Sequence, residues 1–359
     1  ESSGIPARFF IQVDRLFPAC RYFSDVWQSD FTGFLRTDPN SMNQQVAAAI
    51  DIGGTNTAIG LVTADGRLLA KTSIPTSDHP TPALLVEGVA AAIHELQQEA
   101  SGAVLAHVGI GAPNGNYFKG TIEFAPNLKW KGIVPLASLF QSRLNLPAVL
   151  TNDANAAALG ELYYGAARGM KDYLFITLGT GLGSGVVVNG QVVYGHDGFA
   201  GELGHTIVIQ HGRPCGCGRR GCLEQYCSST GLVRTYAEIM RSTGAEKRHP
   251  DGEPDARGIY ELALAGDEDA FYAFNYTGEM LGFALANAVA ITSPEAIFLF
   301  GGIAAAGELL FNPTQISLEK NLLNIYKHKV KLLPSGLPEN DAALLGAASL
   351  AWNEWKTES

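Results

Sequence analysis

No run of lysine and arginine occurs in this chain. Tracking a nucleic-acid backbone takes clustered cations, whereas here 25 Lys and Arg stand against 35 Asp and Glu, a net charge of -10. A nucleic-acid partner is therefore not expected. Long apolar runs are also missing. The uncharged stretch from Met280 to Pro294 falls short of the roughly 18 residues that cross a bilayer, so no membrane partner is expected either. Cysteine is scarce, 5 in 359 residues, which suits a reducing cytosol better than a disulfide-stapled secreted protein and predicts a cytoplasmic location. The Gly-x4-Gly-Lys-Ser/Thr sequence of a P-loop is absent. What remains is 46% hydrophobic and 17% charged, ample for a large core and, at this length, for two domains.

Residues 1–41 differ from the rest, mixing aromatics, charges and prolines without periodicity and without the apolar core of a signal peptide. Met42 reads as the native start, and the segment before it as a leader or expression-derived addition, poorly ordered. The polar, proline-broken segment 240–258 reads as a surface loop.

Three of the five cysteines crowd one window. His205 is followed by Cys215, Cys217 and Cys222 in a setting of Gly and Arg. One imidazole and three thiols match a closed, structural zinc site, with no position left for water. Disulfides or free buried thiols are the competing reading. Cysteines one residue apart seldom bridge each other, and three thiols leave one unpaired, so the spacing favours zinc. Glu202 stands one helical turn before His205, and Glu224 two residues after Cys222. A metal clip would hold both carboxylates in place. Cys227 is expected in a helix core, and His94 and His107 at the surface or a strand edge.

Two stretches are built alike. Val46 to Val62 runs as apolar strand, glycine-rich bend (Asp51, Gly53, Gly54, Thr55, Asn56) and apolar strand, then turns at Asp65-Gly66. Tyr173 to Val188 repeats the plan through Thr177, Gly179, Thr180, Gly181, Gly183 and Ser184, then turns at Asn189-Gly190. Both turn dipeptides favour type I′ hairpins. Asp51 aligns with Thr177, which implies two similar α/β halves facing one another. Glycine bends let bare backbone N–H groups approach an anion, so two facing loops could cradle a polyphosphate; tight hairpins without a ligand are the alternative. The second bend leads into a strand rather than a helix, unlike a dinucleotide fingerprint.

A short strand from Pro147 to Thr151 opens into an alanine-rich helix through Asn152, Asp153 and Asn155. One such residue suffices as an N-cap, and three together at a strand-to-helix junction also mark a ligand site. Asp153 there could take the proton of a hydroxyl attacking phosphorus. Asn127, in the Ala125–Gly132 loop, reads as a sugar-hydroxyl ligand or a plain Asx-turn. A buried strand from Ala296 ends in Gly301-Gly302, which permits close approach to a flat ligand or makes a tight turn. Asp341 is expected to cap a last amphipathic helix carrying Leu344, Leu345 and Leu350.

Together Asp51-Ile-Gly-Gly-Thr-Asn, Pro126-Asn-Leu-Lys-Trp, Asn152-Asp-Ala-Asn, Leu178-Gly-Thr-Gly-Leu-Gly-Ser-Gly, Glu202-Leu-Gly-His205, Cys215-x-Cys-Gly-x-x-Gly-Cys-Leu-Glu224 and Phe300-Gly-Gly resemble the bacterial sugar kinases of the ROK family, its glucokinases most closely. The resemblance covers nearly everything after Met42. It implies an α/β, actin-like ATPase (ribonuclease H-like) fold with two domains flanking a cleft: 42–158 completed by the last helix over 339–359, and 159–338. It implies phosphorylation of a hexose by ATP, glucose first, or else fructose, mannose, allose or an N-acetylhexosamine. Asp153 would be the base, and Asp51 would help position Mg2+. Gly53 to Asn56 and Gly179 to Gly185 would hold phosphates, with Gly301 and Gly302 near adenosine. Asn127, Asn152, Glu202, His205 and Glu224 would ring the sugar, and zinc would sit on His205, Cys215, Cys217 and Cys222. A homodimer or larger homo-oligomer is usual in the family. A sugar-sensing repressor is the second reading, disfavoured because 1–41 is too short for a DNA-binding domain and Asp153 is present.

Overall fold

The computed structural model describes residues 44–244 and 254–358. The expected leader over 1–41 lies outside the described residues, as does the middle of the expected 240–258 loop.

The first half contains β1 (Gln44–Ile52), β2 (Asn56–Thr63), β3 (Leu68–Pro75), α1 (Pro82–Glu99), β4 (Ala103–Ala112), β5 (Gly115–Asn116), β6 (Thr121–Glu123), β7 (Ile133–Val134), α2 (Leu136–Leu144), β8 (Ala148–Asn152) and α3 (Asp153–Tyr164). The second contains β9 (Tyr173–Leu178), β10 (Leu182–Val188), β11 (Gln191–Val192), α4 (Glu224–Cys227), α5 (Ser229–Thr243), α6 (Ala256–Leu264), α7 (Glu268–Thr292), β12 (Ala296–Phe300), α8 (Glu308–Asn321), β13 (Lys331–Pro334) and α9 (Ala342–Glu358). Their sheets run in the orders β3-β2-β1-β4-β8 and β11-β10-β9-β12-β13. In each sheet the first three strands of that order are antiparallel neighbours and the last three parallel. The expected duplication is thus a duplication of topology, the ribonuclease H-like plan used twice. Asp51 and Thr177 are both the penultimate residue of the central strand.

The layers follow from the two-residue period of a strand. In β1, Val46, Ala48, Ile50 and Ile52 enter one core with α1 and α2, while Ala47 and Ala49 enter another with α3 and α9. In β9, Tyr173 and Phe175 join that same α3–α9 core, and Leu174, Ile176 and Leu178 face α5, α7 and α8. Helices α3 and α9 therefore lie between the two sheets. Strands covered on both faces read as continuous apolar runs, as parallel central strands do. Tyr173, Phe175 and Phe298 are fully buried in the shared layer, each contributing roughly 1.5–3 kcal/mol of transfer free energy.

Local signals set the boundaries. Thr81 caps α1 through Leu84 N, with Pro82 opening the helix, and Asp267 caps α7 through Ala270 N. Four expectations need correction. Only Asn189-Gly190 has both central φ angles positive (53° and 76°), as type I′ demands. At Asp65-Gly66 only the glycine does, Gly66 N donates to Thr63 O at 2.9 Å, and the Asp65 carboxylate accepts from the Thr63 hydroxyl instead. Residues 240–243 continue α5 to a Gly244 C-cap, and Asp255 already caps α6, so the loop is narrower than 240–258. His107 lies within β4, paired to Ala47 of β1, with its ring 5.0 Å from that of Trp355. Asp341 precedes α9, but its carboxylate pairs with Lys71 at 2.6 Å. Cys227 is fully buried as expected, and among the described residues no helix is long and apolar enough to cross a membrane.

Candidate active site

A cleft of about 730 Å3 opens where β8, β9 and β12 end. Asn152 caps α3, its Oδ1 accepting from Ala154 N at 2.9 Å, so capping is satisfied by one residue of the three. Asp153 follows as the first helical residue and is open to the cleft, its Oδ1 also 2.8 Å from Ala154 N. The surrounding protein desolvates it and raises its pKa above the ordinary carboxylate range, with the backbone N–H groups of Ala154 and Asp153 opposing. Asp51, half-buried at the end of β1, is pushed up to about 7, by burial first and by the charge of Asp153 second.

The opposite wall is the second glycine bend. Gly179, Thr180, Gly181 and Gly183 line the cleft with Thr177 beneath them, whose hydroxyl accepts from Gly183 N at 3.1 Å. Gly183 and Gly185 serve packing too: a Cβ on Gly185 would lie 2.5 Å from Ala158 Cβ, so α3 rides directly on β10. Gly301 joins this wall, whereas Gly302 does not. Nor does the first bend line the cleft. Gly54 is wedged behind Asn127, with Asn127 O 2.9 Å from where its Cβ would be, and Gly53, Thr55 and Asn56 are likewise not on the wall. The two bends flank the site unequally: the first touches the Asn127 loop at Gly54, yet Gly54, Thr55 and Asn56 stay exposed and off the cleft wall. Trp130 anchors that loop, buried and donating to His79 O at 3.1 Å.

Asn127, Asn152, Asp153, Glu202, His205 and Glu224 all meet on the cleft. Glu202 leads into a single 3-10 turn, Leu203–His205, that sets the imidazole beside the cysteine loop. Burial raises the Glu202 pKa, and the charges of Asp153 and Glu224 add to it while His205 opposes. Glu224 opens α4, and its Oε2 accepts from Leu182 N of the glycine bend at 3.1 Å. Sequence reasoning missed Asn114, Phe124 and Phe199, which also line the cleft. Phe124 holds φ at 52°, a backbone conformation rare for an aromatic residue that no local sequence signal announces.

The cysteine loop is a compact knot. Its ligand atoms, from His205, Cys215, Cys217 and Cys222, lie within 4.8 Å of one another. Cys217 Sγ and Cys222 Sγ are 3.6 Å apart, too far for a disulfide, and Cys215 Sγ is 3.7 Å from His205 Nδ1. A tetrahedral ion with metal–sulfur bonds near 2.3 Å has ligand–ligand edges of about 3.8 Å, so the donor set and its spacing suit such a metal. Gly221 lets the knot close: with φ of 80°, its Cβ would sit 1.7 Å from Ile209 O. Arg213 fastens the knot to α5, donating to both Glu238 oxygens (3.1 and 2.6 Å), to Thr235 Oγ1 (2.9 Å) and to the Gln225 and Gly231 carbonyls (2.7 and 3.3 Å).

Among the described residues, no lysine or arginine lines the cleft. A ring of carboxylates and carboxamides suits a polyhydroxyl ligand, since each carboxylate accepts several hydroxyl hydrogens.

The chain was compared with known proteins. It is 34% identical over 317 residues to a glucokinase from Halalkalibacterium halodurans, covering 86% of this chain and 96% of that protein. It is 35% identical over 315 residues to an N-acetylmannosamine kinase from Shigella boydii, covering 85% and 98%. Among solved structures, a ROK family glucokinase from Streptomyces griseus, in complex with glucose and AMPPNP, matches with a TM-score of 0.72 and 36% identity, over 86% of this chain and 99% of that one. The ROK family signature spans residues 47–354. With the duplicated sheet, the acid at the head of α3 and the cysteine knot all found within that span, the chain belongs to the ROK family.

Proposed function

We propose that this protein transfers the γ-phosphoryl group of ATP to the 6-hydroxyl of a hexose, glucose before others. The observation that carries the reading is Asp153: a carboxylate of raised pKa at a helix head, open to a cleft whose other walls are a glycine bend and the Glu202–His205–Glu224 group. A raised pKa makes Asp153 a better proton acceptor near neutral pH. Asn152 and Asn127 would orient the sugar with Glu202, Glu224 and His205, and the backbone of Gly179–Gly183 would receive phosphate oxygens. Gly301 would border the adenosine.

With no lysine or arginine on the wall among the described residues, neutralisation of the triphosphate falls to Mg2+ bound with the nucleotide, near Asp51. Zinc on His205, Cys215, Cys217 and Cys222 completes the proposal in a structural role: all four ligand positions are taken by protein, which leaves none for catalysis. The knot then fixes Glu202 and Glu224. A cytoplasmic, homo-oligomeric enzyme is part of the same reading.

The relative that is an N-acetylmannosamine kinase favours a second substrate reading, since its identity and coverage match those of the glucokinase. A coupled ADP assay over glucose, mannose, fructose, allose and N-acetylhexosamines decides. Glucose leading by its kcat/KM supports the proposal. Another hexose leading replaces the substrate alone, and sugar binding without turnover overturns the kinase in favour of a sugar sensor.

A further inference from the structure

Gln225 occupies a position that neither the sugar ring nor the metal knot accounts for. Its Nε2 lies 3.6 Å from Cys215 Sγ and 3.3 Å from Glu224 Oε1, and those two acceptors are themselves 3.9 Å apart. Behind it, Arg234 Nη1 donates to Gln225 Oε1 at 2.8 Å. A guanidinium only donates, so the amide oxygen must face Arg234 and the NH2 must face the sulfur and the carboxylate. The backbone is fixed as well: Gln225 O accepts from Arg213 at 2.7 Å, and Gln225 N donates to Cys222 O at 3.0 Å.

The metal-bound form makes this arrangement electrostatically pointed. A thiolate at Cys215 and a carboxylate at Glu224 would face one another at 3.9 Å. An amide with two hydrogens between them satisfies both and separates their charges. Glu224 is held at its other oxygen by Leu182 N, 3.1 Å away in the glycine bend. One carboxylate is therefore gripped from the knot through Gln225 and from the phosphate side through Leu182.

We propose that Gln225 is a positioning residue: its amide, oriented by Arg234, couples the Cys215 thiolate to Glu224, so that the state of the metal knot is read as affinity for the sugar. The inference rests on the hexose kinase and zinc readings above.

The test uses the full chain with zinc bound. Gln225→Met keeps the bulk and removes both donors. Zinc release to a chromophoric chelator should quicken about 10-fold, the range usual for partners of metal ligands. The glucose Kd, from intrinsic fluorescence, and the glucose KM should each rise about 10-fold, with kcat within threefold of wild type and the ATP KM unchanged. A packing role would leave all of these alone, because Met fills the space. Should Gln225→Met not fold, Arg234→Met frees the amide to turn and should move zinc release and glucose Kd the same way. Wild-type values in either folded variant overturn the inference while leaving the kinase reading intact. A wild-type chain that holds no zinc or phosphorylates no hexose overturns the underlying reading and this inference with it.

Discussion

Asp51 and Asp153 face one another across Gly111: a Cβ on that glycine would lie 3.4 Å from Asp51 Oδ1 and 3.7 Å from Asp153 Cα. One carboxylate lies at the end of the central strand of the first sheet, the other begins the helix between the sheets, and the charge of Asp153 makes ionisation of Asp51 harder.

That proximity has a stability consequence. The folded protein keeps the Asp51 proton up to about pH 7, while the unfolded chain loses it near the ordinary carboxylate value of 3.8. Between these values the folded state binds more protons, so stability falls as pH rises through the window and levels off above it. Asp51→Asn should match wild type near pH 4 and exceed it at pH 8 by roughly 2 to 4 kcal/mol, while losing turnover. Thermal melts of the unliganded protein at the two pH values check this; an Asp51→Asn protein no more stable at pH 8 than wild type contradicts it.

Asp153 must be ionised to accept a proton, and burial raises its pKa. The kcat/KM for the hexose should therefore fall on the acid side with a midpoint above the usual carboxylate range. Asp153→Asn should be about 10^2- to 10^4-fold slower, the usual share of a general base, with a flat acid limb and glucose binding retained. Turnover near the wild-type rate would remove Asp153 from the mechanism.

Gly185→Ala places a methyl 2.5 Å from Ala158 Cβ and 3.0 Å from Ala154 O. The helix must lift off β10, carrying Asp153 with it. A loss of about 1–3 kcal/mol in urea unfolding is expected, together with a fall in kcat. If kcat is untouched despite the lost stability, α3 does not set the position of the base.

Zinc removal should act on the sugar rather than on the proton transfer. A chelated protein should show a glucose KM at least about 10-fold higher, restored by added zinc. Cys217→Ser should show the same rise without rescue. A Cys217→Ser protein with full metal content and full glucose affinity would sink the assignment.

Much of this was legible in the sequence, because the informative residues signal locally. Cys215, Cys217 and Cys222 are close in the chain, so their convergence needs only a tight loop and Gly221. Asn152 and Asp153 sit at a strand end followed by alanines, a junction that announces itself. What the sequence concealed depends on distant surfaces. The first glycine bend reads like the second, yet it lies against the loop carrying Asn127 and off the cleft wall, and nothing near Gly54 encodes that contact. Asp65-Gly66 looks like Asn189-Gly190, but Asp65 takes the Thr63 hydroxyl and leaves the glycine alone in the left-handed region. Phe124 and Phe199 reach the cleft through loops whose paths are set by their neighbours. Gln225 looks like an ordinary polar residue of a short helix until Arg234 fixes which way its amide turns.

The placement of α9 bears on how the protein is made. Ala47, Ala49 and Val62 of the first sheet are covered by a layer to which α9 contributes Ala347, Ala348, Leu350 and Ala351. During synthesis the strands leave the ribosome long before that helix is translated. The inner face of the first sheet must then wait, apolar and unsheltered, while the whole second half emerges. The nascent chain is thus expected to depend on chaperones, and its half-made forms should be more readily degraded than those of a protein whose halves fold in the order they are read.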